Sequence, residues 1–503
     1  MRLRDSVLRP CLQRQALGYE GRESLEEKTL THQDPLVGRY ASPEMVHAFS
    51  EKRKHVLWRR LWIALAEAEH ELGLPMVSKD QIEEMRRHTE DIDYEKIREI
   101  EARIRHEVMA HLHAYGLQCP KAKPIIHLGA TSAYILDNAD LVIIRDGLEV
   151  LRRRLVGVIN ELAQQAGRHR SLVTVAFTHY QPANLTTVGK RIGLWLQDFI
   201  LDLGELEFRL QSLRFHGARG AVGTQASFMA LFDEEEKVKA LELLVAEKMG
   251  FKESYYLAGQ TYPRKVDAKV LACLSGIAQS AHKMTNDIRL LQNLREVEEP
   301  FETEQVGSSA MPQKRNPMLS ERVAGLSRYV ICSSLNPAFT AASQWFERTL
   351  DDSSNRRLSL PGAFLATEAL LNLVHNIAAG MTVYPKMIDR HVREELPFLA
   401  MERVLMETTK VGGDRQLLHE RLRVHAMEAT RVVKEEGGEN DLLERIASDP
   451  AFSAIKERLP SLLEPRNFIG RAPQQVEEFL RGVVEPLLMR YKDLIEKPIQ
   501  IRV

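Results

Sequence analysis

Through the middle of the chain, hydrophobic residues recur in alternating steps of three and four. Leu141, Ile144, Leu148, Leu151, Leu155, Val158 and Leu162 form one such series. At 3.6 residues per turn these positions return to the same face, so the spacing predicts one long helix with a narrow apolar stripe. A second stripe runs through Ile192, Trp195, Phe199, Leu203, Leu206, Leu210 and Leu213, and a third through Leu274, Ile277, Ala281, Met284, Ile288 and Leu291. Stripes of this length suit helices that pack lengthwise at shallow angles. Leu57, Leu61, Leu65, Ala68 and Leu72 predict an earlier helix, stopped by Gly73 and Pro75. After residue 383 the Tyr384-Pro385 step breaks the pattern, and shorter amphipathic segments follow at 415–435 and 473–490. Strand-like alternation is almost absent.

The predicted fold is all-α, with three helical regions after an N-terminal extension over residues 1–30 that is expected to lack fixed structure. Residues 31–130 form the first helical region, 131–383 a central bundle of long helices, and 384–503 a C-terminal helical region. A chain of 503 residues in long rods has much surface per residue. An apolar seam wider than one face then predicts burial against other subunits.

Composition excludes several partners. Lys+Arg 69 against Asp+Glu 70 leaves no global field for nucleic acid or an acidic membrane surface, so any anionic ligand must be held by local arginines. No apolar run approaches the ~20 residues needed to span a bilayer. Cys11, Cys119, Cys273 and Cys332 are too scattered for a zinc site or a disulfide-stapled module, which points to a reducing, cytoplasmic setting. Arg2, Arg4, Arg9 and Arg14 loosely resemble an organelle transit peptide, but Asp5 and the acidic run from Glu20 to Glu27 weigh against it.

The candidate chemistry concentrates in Gly307-Ser308-Ser309-Ala310-Met311-Pro312-Gln313-Lys314-Arg315-Asn316-Pro317. Glycine, serines and two prolines make this a loop within an otherwise helical chain, and loops on rigid scaffolds commonly carry function. The segment resembles the signature of the fumarase/aspartase superfamily, Gly-Ser-Ser-x-Met-Pro-x-Lys-x-Asn-Pro, at all eight specified positions. Two more segments agree with it. Thr178-His179-Tyr180-Gln181-Pro182-Ala183 and Leu128-Gly129-Ala130-Thr131-Ser132, with Asp137 and Asn138 following, resemble two other segments of the superfamily.

Within the superfamily the chain is similar, from about Pro35 onward, to the animal-type branch that acts on succinylated purine nucleotides. The residues that carry this are Arg39-Tyr40, Arg105-His106-Glu107 with the following Val108 to His111, Gly259-Gln260-Thr261-Tyr262, Phe346 to Ser353, and Gly470 to Gln475. One departure is Glu107, where that branch usually has aspartate.

The resemblance implies a carbon–nitrogen lyase that releases fumarate from small succinyl nucleotides by β-elimination, without metal or organic cofactor. Such a reaction needs a base, a stabiliser for the aci-carboxylate and an acid for the departing nitrogen. Carried over by position, Ser308 is the base, His179 the acid and Glu321 its partner. The Ser308 alkoxide would be stabilised by loop N–H groups and Lys314. The substrate-binding set implied is Arg39, Tyr40, Arg105, His106, Glu107, Thr131, Ser132, Gln260, Asn316, Arg322, Arg348, Ser353 and Arg357. The family's arrangement is a homotetramer with composite sites, and no nucleic acid or membrane enters it. Argininosuccinate lyase or another superfamily member, and a catalytically silent helical scaffold, remain as alternatives.

Overall fold

A computed structural model describes residues 32–302 and 304–499. The extension expected over residues 1–30 lies outside the described residues. In the first helical region, the Ser42 and Ser50 hydroxyls accept the Met45 and Arg53 N–H groups and so start α1 (Pro43–Ala48) and α2 (Glu51–Glu71). The α2 stripe buries Leu57, Leu61 and Leu65 together with Trp58 and Trp62. Gly73, at φ +87°, takes the left-handed turn that ends it. Three shorter helices complete this region: α3 (Lys79–Arg87), α4 (Tyr94–Ile104) and α5 (Glu107–Gln118).

The centre is a bundle of long helices. The helix predicted from Leu141 onward is α6 (Ser132–Arg168), whose 37 residues extend about 55 Å at 1.5 Å per residue. All seven residues of its stripe are buried. A short hairpin, β1 (Val173–Thr178) with β2 (Gln181–Thr187), turns the chain into α7 (Val188–Ser212). After α8 (Ala226–Phe232) and α9 (Glu235–Lys248) come α10 (Lys265–Asn293), β3 (Val297–Glu298), α11 (Met318–Ser333), α12 (Leu335–Ser343), α13 (Asp351–Gly380) and β4 (Thr382–Val383). The second and third stripes fall on α7 and α10, where Ile192, Trp195, Phe199, Leu274, Ile277 and Met284 are buried.

Hydrogen bonds fix the direction of these rods. Arg264, before α10, bonds Asp137 at 3.1 Å and Arg356 of α13 bonds Asp140 at 2.8 Å, so α6, α10 and α13 begin at one pole. At the other pole Gln165 donates to the Ala378 carbonyl at 3.1 Å, and Thr174 to Glu296 at 3.4 Å. Helices α7 and α11 therefore run back. We call the two ends the Ser132 pole and the hairpin pole.

Beyond Tyr384, α14 (Pro385–Leu399) leads to α15 (Met401–Lys410), α16 (Arg415–Glu435) and α17 (Leu442–Ser448), which close a separate apolar core around Leu405, Leu422, Ile446 and Phe452. The last segment, expected as one amphipathic stretch over 473–490, is broken by a π turn at Leu480–Val484. Its Val476 and Val484 return to the main core. No helix among the described residues is long and apolar enough to cross a membrane.

One buried group makes stability depend on pH. Glu69 of α2 is 0% exposed, neither carboxylate oxygen has a hydrogen-bond partner, and burial pushes its carboxyl up to about 9. Because the folded value is raised, its contribution to stability is complete below the ordinary carboxylate range and drains away as pH climbs toward 9. Between pH 5.5 and 7.5 that loss should be about 3 kcal/mol. Glu69→Gln should remove it, so urea unfolding at the two pH values should show the variant gaining on the parent by about this amount. Parallel behaviour of the two proteins would contradict a neutral buried Glu69.

Candidate active site

The signature loop leaves α10 after β3 and enters α11, and Glu299 ties its two ends together. The buried Glu299 carboxylate accepts the Leu319 and Ser320 N–H groups and the Ser320 hydroxyl, all at 2.8 Å. It thereby satisfies otherwise orphaned donors in the first turn of α11. Gln292 donates to the Arg315 carbonyl at 3.0 Å, and Asn316 spans the loop to the Gly307 carbonyl at 2.7 Å. Gly307 is required by close approach: a Cβ there would collide with the Lys314 carbonyl oxygen.

Within this frame the Ser308 hydroxyl accepts N–H bonds from Met311 at 3.1 Å and Ala310 at 3.4 Å. Two donors aimed at one hydroxyl oxygen favour its negative form, as an alkoxide base requires. The exposed Lys314 ammonium makes no ion pair among the described residues. Glu321 and Arg322 lie in the first turns of α11, and Glu321 faces Arg289 at 4.0 Å.

His179 stands at the tip of the β1–β2 hairpin. Both turn residues, His179 and Tyr180, have positive φ (52° and 57°), the geometry of a tight hairpin whose twist matches the strands. The imidazole is exposed and forms no hydrogen bond or ion pair with the described residues. The expected His179–Glu321 pair is thus not formed within one chain. His179, Ser308, Lys314 and Asn316 all belong to the hairpin pole.

A second group gathers along α13 and toward the Ser132 pole. A cavity of about 240 Å³ is lined by Arg348, Ser353 and Arg357, with Lys54, Arg264 and Arg356 around them. Arg348 makes no ion pair among the described residues, whereas Arg357 pairs with Glu107. Burial opposes ionisation of Glu107, but the adjoining His55, Lys54 and Arg357 outweigh it and hold the carboxyl well below its usual range. Arg39 and Tyr40 sit on a turn packed against α13, the guanidinium 6.0 Å from the ring centroid.

Thr131 and Ser132 open α6, and neither hydroxyl is used as a cap, which leaves the N-terminal N–H groups of a 37-residue helix available to an anion. Exposed Arg105 ends α4 in a left-handed conformation at φ 54°, and the His106 Nδ1 accepts the Met109 N–H at 3.3 Å as the cap of α5. The neighbouring His127 is pushed down to about 4 by burial and by His106, and its Nδ1 accepts the Trp62 indole N–H at 2.9 Å. Gln260 accepts the Val222 N–H at 3.2 Å through its side chain.

Sequence reasoning missed the support beneath the cavity. Buried Arg264 bonds Asp352 at 2.5 Å and Asp137 at 3.1 and 3.2 Å, and buried Arg356 bonds Asp267 at 2.7 Å and the Tyr262 hydroxyl at 2.5 Å. Asp137 and Tyr262 lie inside quoted motifs, and Asp352 directly precedes Ser353. That adjacency was the available signal.

Ser308, Lys314 and Asn316 on the signature loop thus lie at one pole of the long helices, and the cavity lined by Arg348, Ser353 and Arg357 lies toward the other. The Lyase family profile matches residues 38–332, and that of the adenylosuccinate lyase C-terminus matches residues 397–479. The fold resembles those of a fumarate lyase from Mesorhizobium sp. BNC1 (TM-score 0.76, 23% identity, 88% of this chain and 99% of the other) and a 3-carboxy-cis,cis-muconate lactonizing enzyme from Pseudomonas putida (0.78, 24%, 92% and 100%). The chain is a member of the fumarase/aspartase superfamily. Adenylosuccinate lyase from Saccharomyces cerevisiae is 51% identical over 91% of this chain and 96% of its own, and that of Schizosaccharomyces pombe 48% over 92% and 97%. Within the superfamily the chain belongs to the adenylosuccinate lyases.

Proposed function

We propose that the chain cleaves adenylosuccinate to AMP and fumarate, and the succinylated aminoimidazole carboxamide ribotide to the free carboxamide ribotide and fumarate. The observation that carries this is 51% identity sustained over 91% of the chain. The signature loop is intact within that chain. The bond broken joins carbon to nitrogen, and a proton leaves the adjacent carbon beside a carboxylate. Its pair of electrons becomes the new double bond, and the nitrogen leaves with a proton from the acid.

Ser308 is the proposed base, supported by the N–H groups of Ala310 and Met311, and Lys314 of the same loop is the proposed stabilising cation. His179 is the proposed acid, and its exposed position at the hairpin tip suits a group that meets substrate rather than protein. Arg348, Ser353 and Arg357, with Arg39 and Tyr40, are proposed to hold anionic groups of the substrate bidentately where guanidinium geometry allows. Thr131, Ser132, Arg105, His106, Glu107, Gln260, Asn316 and Arg322 complete the proposed binding set.

These groups are spread along a bundle whose longest helix extends about 55 Å. With the two clusters toward opposite poles of one chain, we propose a homotetramer in which hairpin-pole groups meet the arginine cluster of a neighbour. Leu194, Leu201 and Phe208, exposed at seven-residue spacing on α7, support lengthwise packing against another copy. The domain divisions at about residues 130 and 383 and a cytoplasmic location belong to the same proposal. The test is direct: purified protein should release fumarate from adenylosuccinate, measured by chromatography of both products. Release from argininosuccinate alone, or from neither substrate, would overturn the assignment.

A further inference from the structure

Lys54 belongs to none of the motifs above, yet its side chain lines the same cavity as Arg348, Ser353 and Arg357. It sits in the first turn of α2, with Nζ 3.2 Å from Glu107 Oε1 and 5.2 Å from the centroid of the Trp58 ring. Glu107 is shared: Oε1 faces Lys54 at 3.2 Å, with the His55 Nε2 farther off at 3.9 Å, while Oε2 accepts from the Arg357 guanidinium. The other guanidinium groups in the cavity wall are committed, Arg264 to Asp137 and Asp352, Arg356 to Asp267 and Asp140. Anion binding here therefore depends on Arg348 and on how far Glu107 neutralises Arg357.

We propose that Lys54 is a positioning residue for this anion site: by holding one oxygen of Glu107, it keeps that carboxylate from closing bidentately on Arg357. A bidentate carboxylate–guanidinium pair would compete directly with an incoming phosphate or carboxylate, because it occupies the same parallel pair of N–H donors. A carboxylate divided between two cations leaves guanidinium N–H groups free. The extra methylene of glutamate relative to aspartate suits a side chain that must reach both. The inference rests on reading the cavity as the anion-binding part of the lyase site.

Lys54→Met should raise KM for adenylosuccinate about tenfold while leaving kcat within about twofold, and Lys54→Arg should restore most of the affinity. The binding of AMP, followed by calorimetry, should weaken in parallel. Thermal unfolding of each variant reports whether the fold is intact, and Lys54→Gln replaces the methionine variant should that one fail to fold. A merely structural ion pair would lower kcat or the unfolding temperature and leave KM and AMP affinity unchanged, which would overturn the proposal. Arg348→Ala separates the two layers of the argument. If it raises KM while Lys54→Met does not, only the role of Lys54 falls. If neither changes KM, the cavity is not the anion site.

Discussion

Alanine at Ser308 or at His179 should lower kcat by at least ~10²-fold with much smaller changes in KM, since both groups are assigned to proton transfer in the transition state rather than to substrate binding. The Ser308 hydroxyl already accepts two backbone N–H bonds, so its removal deletes the base without disturbing the Gly307–Asn316 brace. The exposed His179 imidazole forms no hydrogen bond or ion pair with the described residues, so its removal should leave unfolding unchanged. Steady-state kinetics with adenylosuccinate, paired with thermal unfolding of each variant, checks both points. Near-normal kcat in Ser308→Ala would show that another group takes the proton.

The largest effect on stability should come from Arg264→Met. This guanidinium is 3% exposed and bonds two carboxylates, Asp137 and Asp352, that are themselves buried. Removing the cation takes the guanidinium from two buried carboxylates, leaving Asp137 the Tyr262 N–H at 2.8 Å, and a single broken buried pair costs about 3–5 kcal/mol. Burial alone would push Asp137 toward its neutral form, but Arg264, His216 and Arg356 outweigh it and keep the carboxylate charged. The variant should unfold at distinctly lower urea concentration, and Asp352→Asn in the same background should recover part of the loss by removing one orphaned charge. An unchanged urea midpoint in Arg264→Met would show that the network carries no net stability.

What could be read from sequence divides by physical cause. The α6, α7 and α10 stripes were legible because a buried face leaves a period, and residues such as Leu148, Leu155 and Leu203 follow it closely. The signature loop was legible because Gly307, Pro312 and Pro317 cannot continue a helix. The β1–β2 hairpin was not, because its tight turn uses His179 and Tyr180 in place of the asparagine or glycine that usually announces positive φ. Arg264, Arg356 and Asp267 were equally hidden, since paired buried charges look like surface charges in a sequence, and Asp137 was visible only as a neighbour of the Thr131-Ser132 segment. Glu299 was invisible for a related reason: a helix-capping carboxylate normally precedes its helix by one to three residues, and this one reaches α11 across the whole loop. Glu321 was placed beside His179 by resemblance, whereas within one chain it lies opposite Arg289.

The site proposed to be shared between subunits can be tested in one experiment. The Ser308→Ala and His179→Ala variants should each be inactive alone, but a site drawing the two residues from different subunits can be rebuilt by co-refolding equal amounts. Random assortment gives each contributor an even chance of being intact, so about one quarter of sites should carry both groups. Fumarate release should return to about a quarter of the parent value. Brief mixing of the folded variants without dissociation should restore little, because a large subunit interface exchanges slowly. Recovery near one quarter is the result the account predicts; no recovery in a verified mixed assembly would place both residues in one subunit and contradict it.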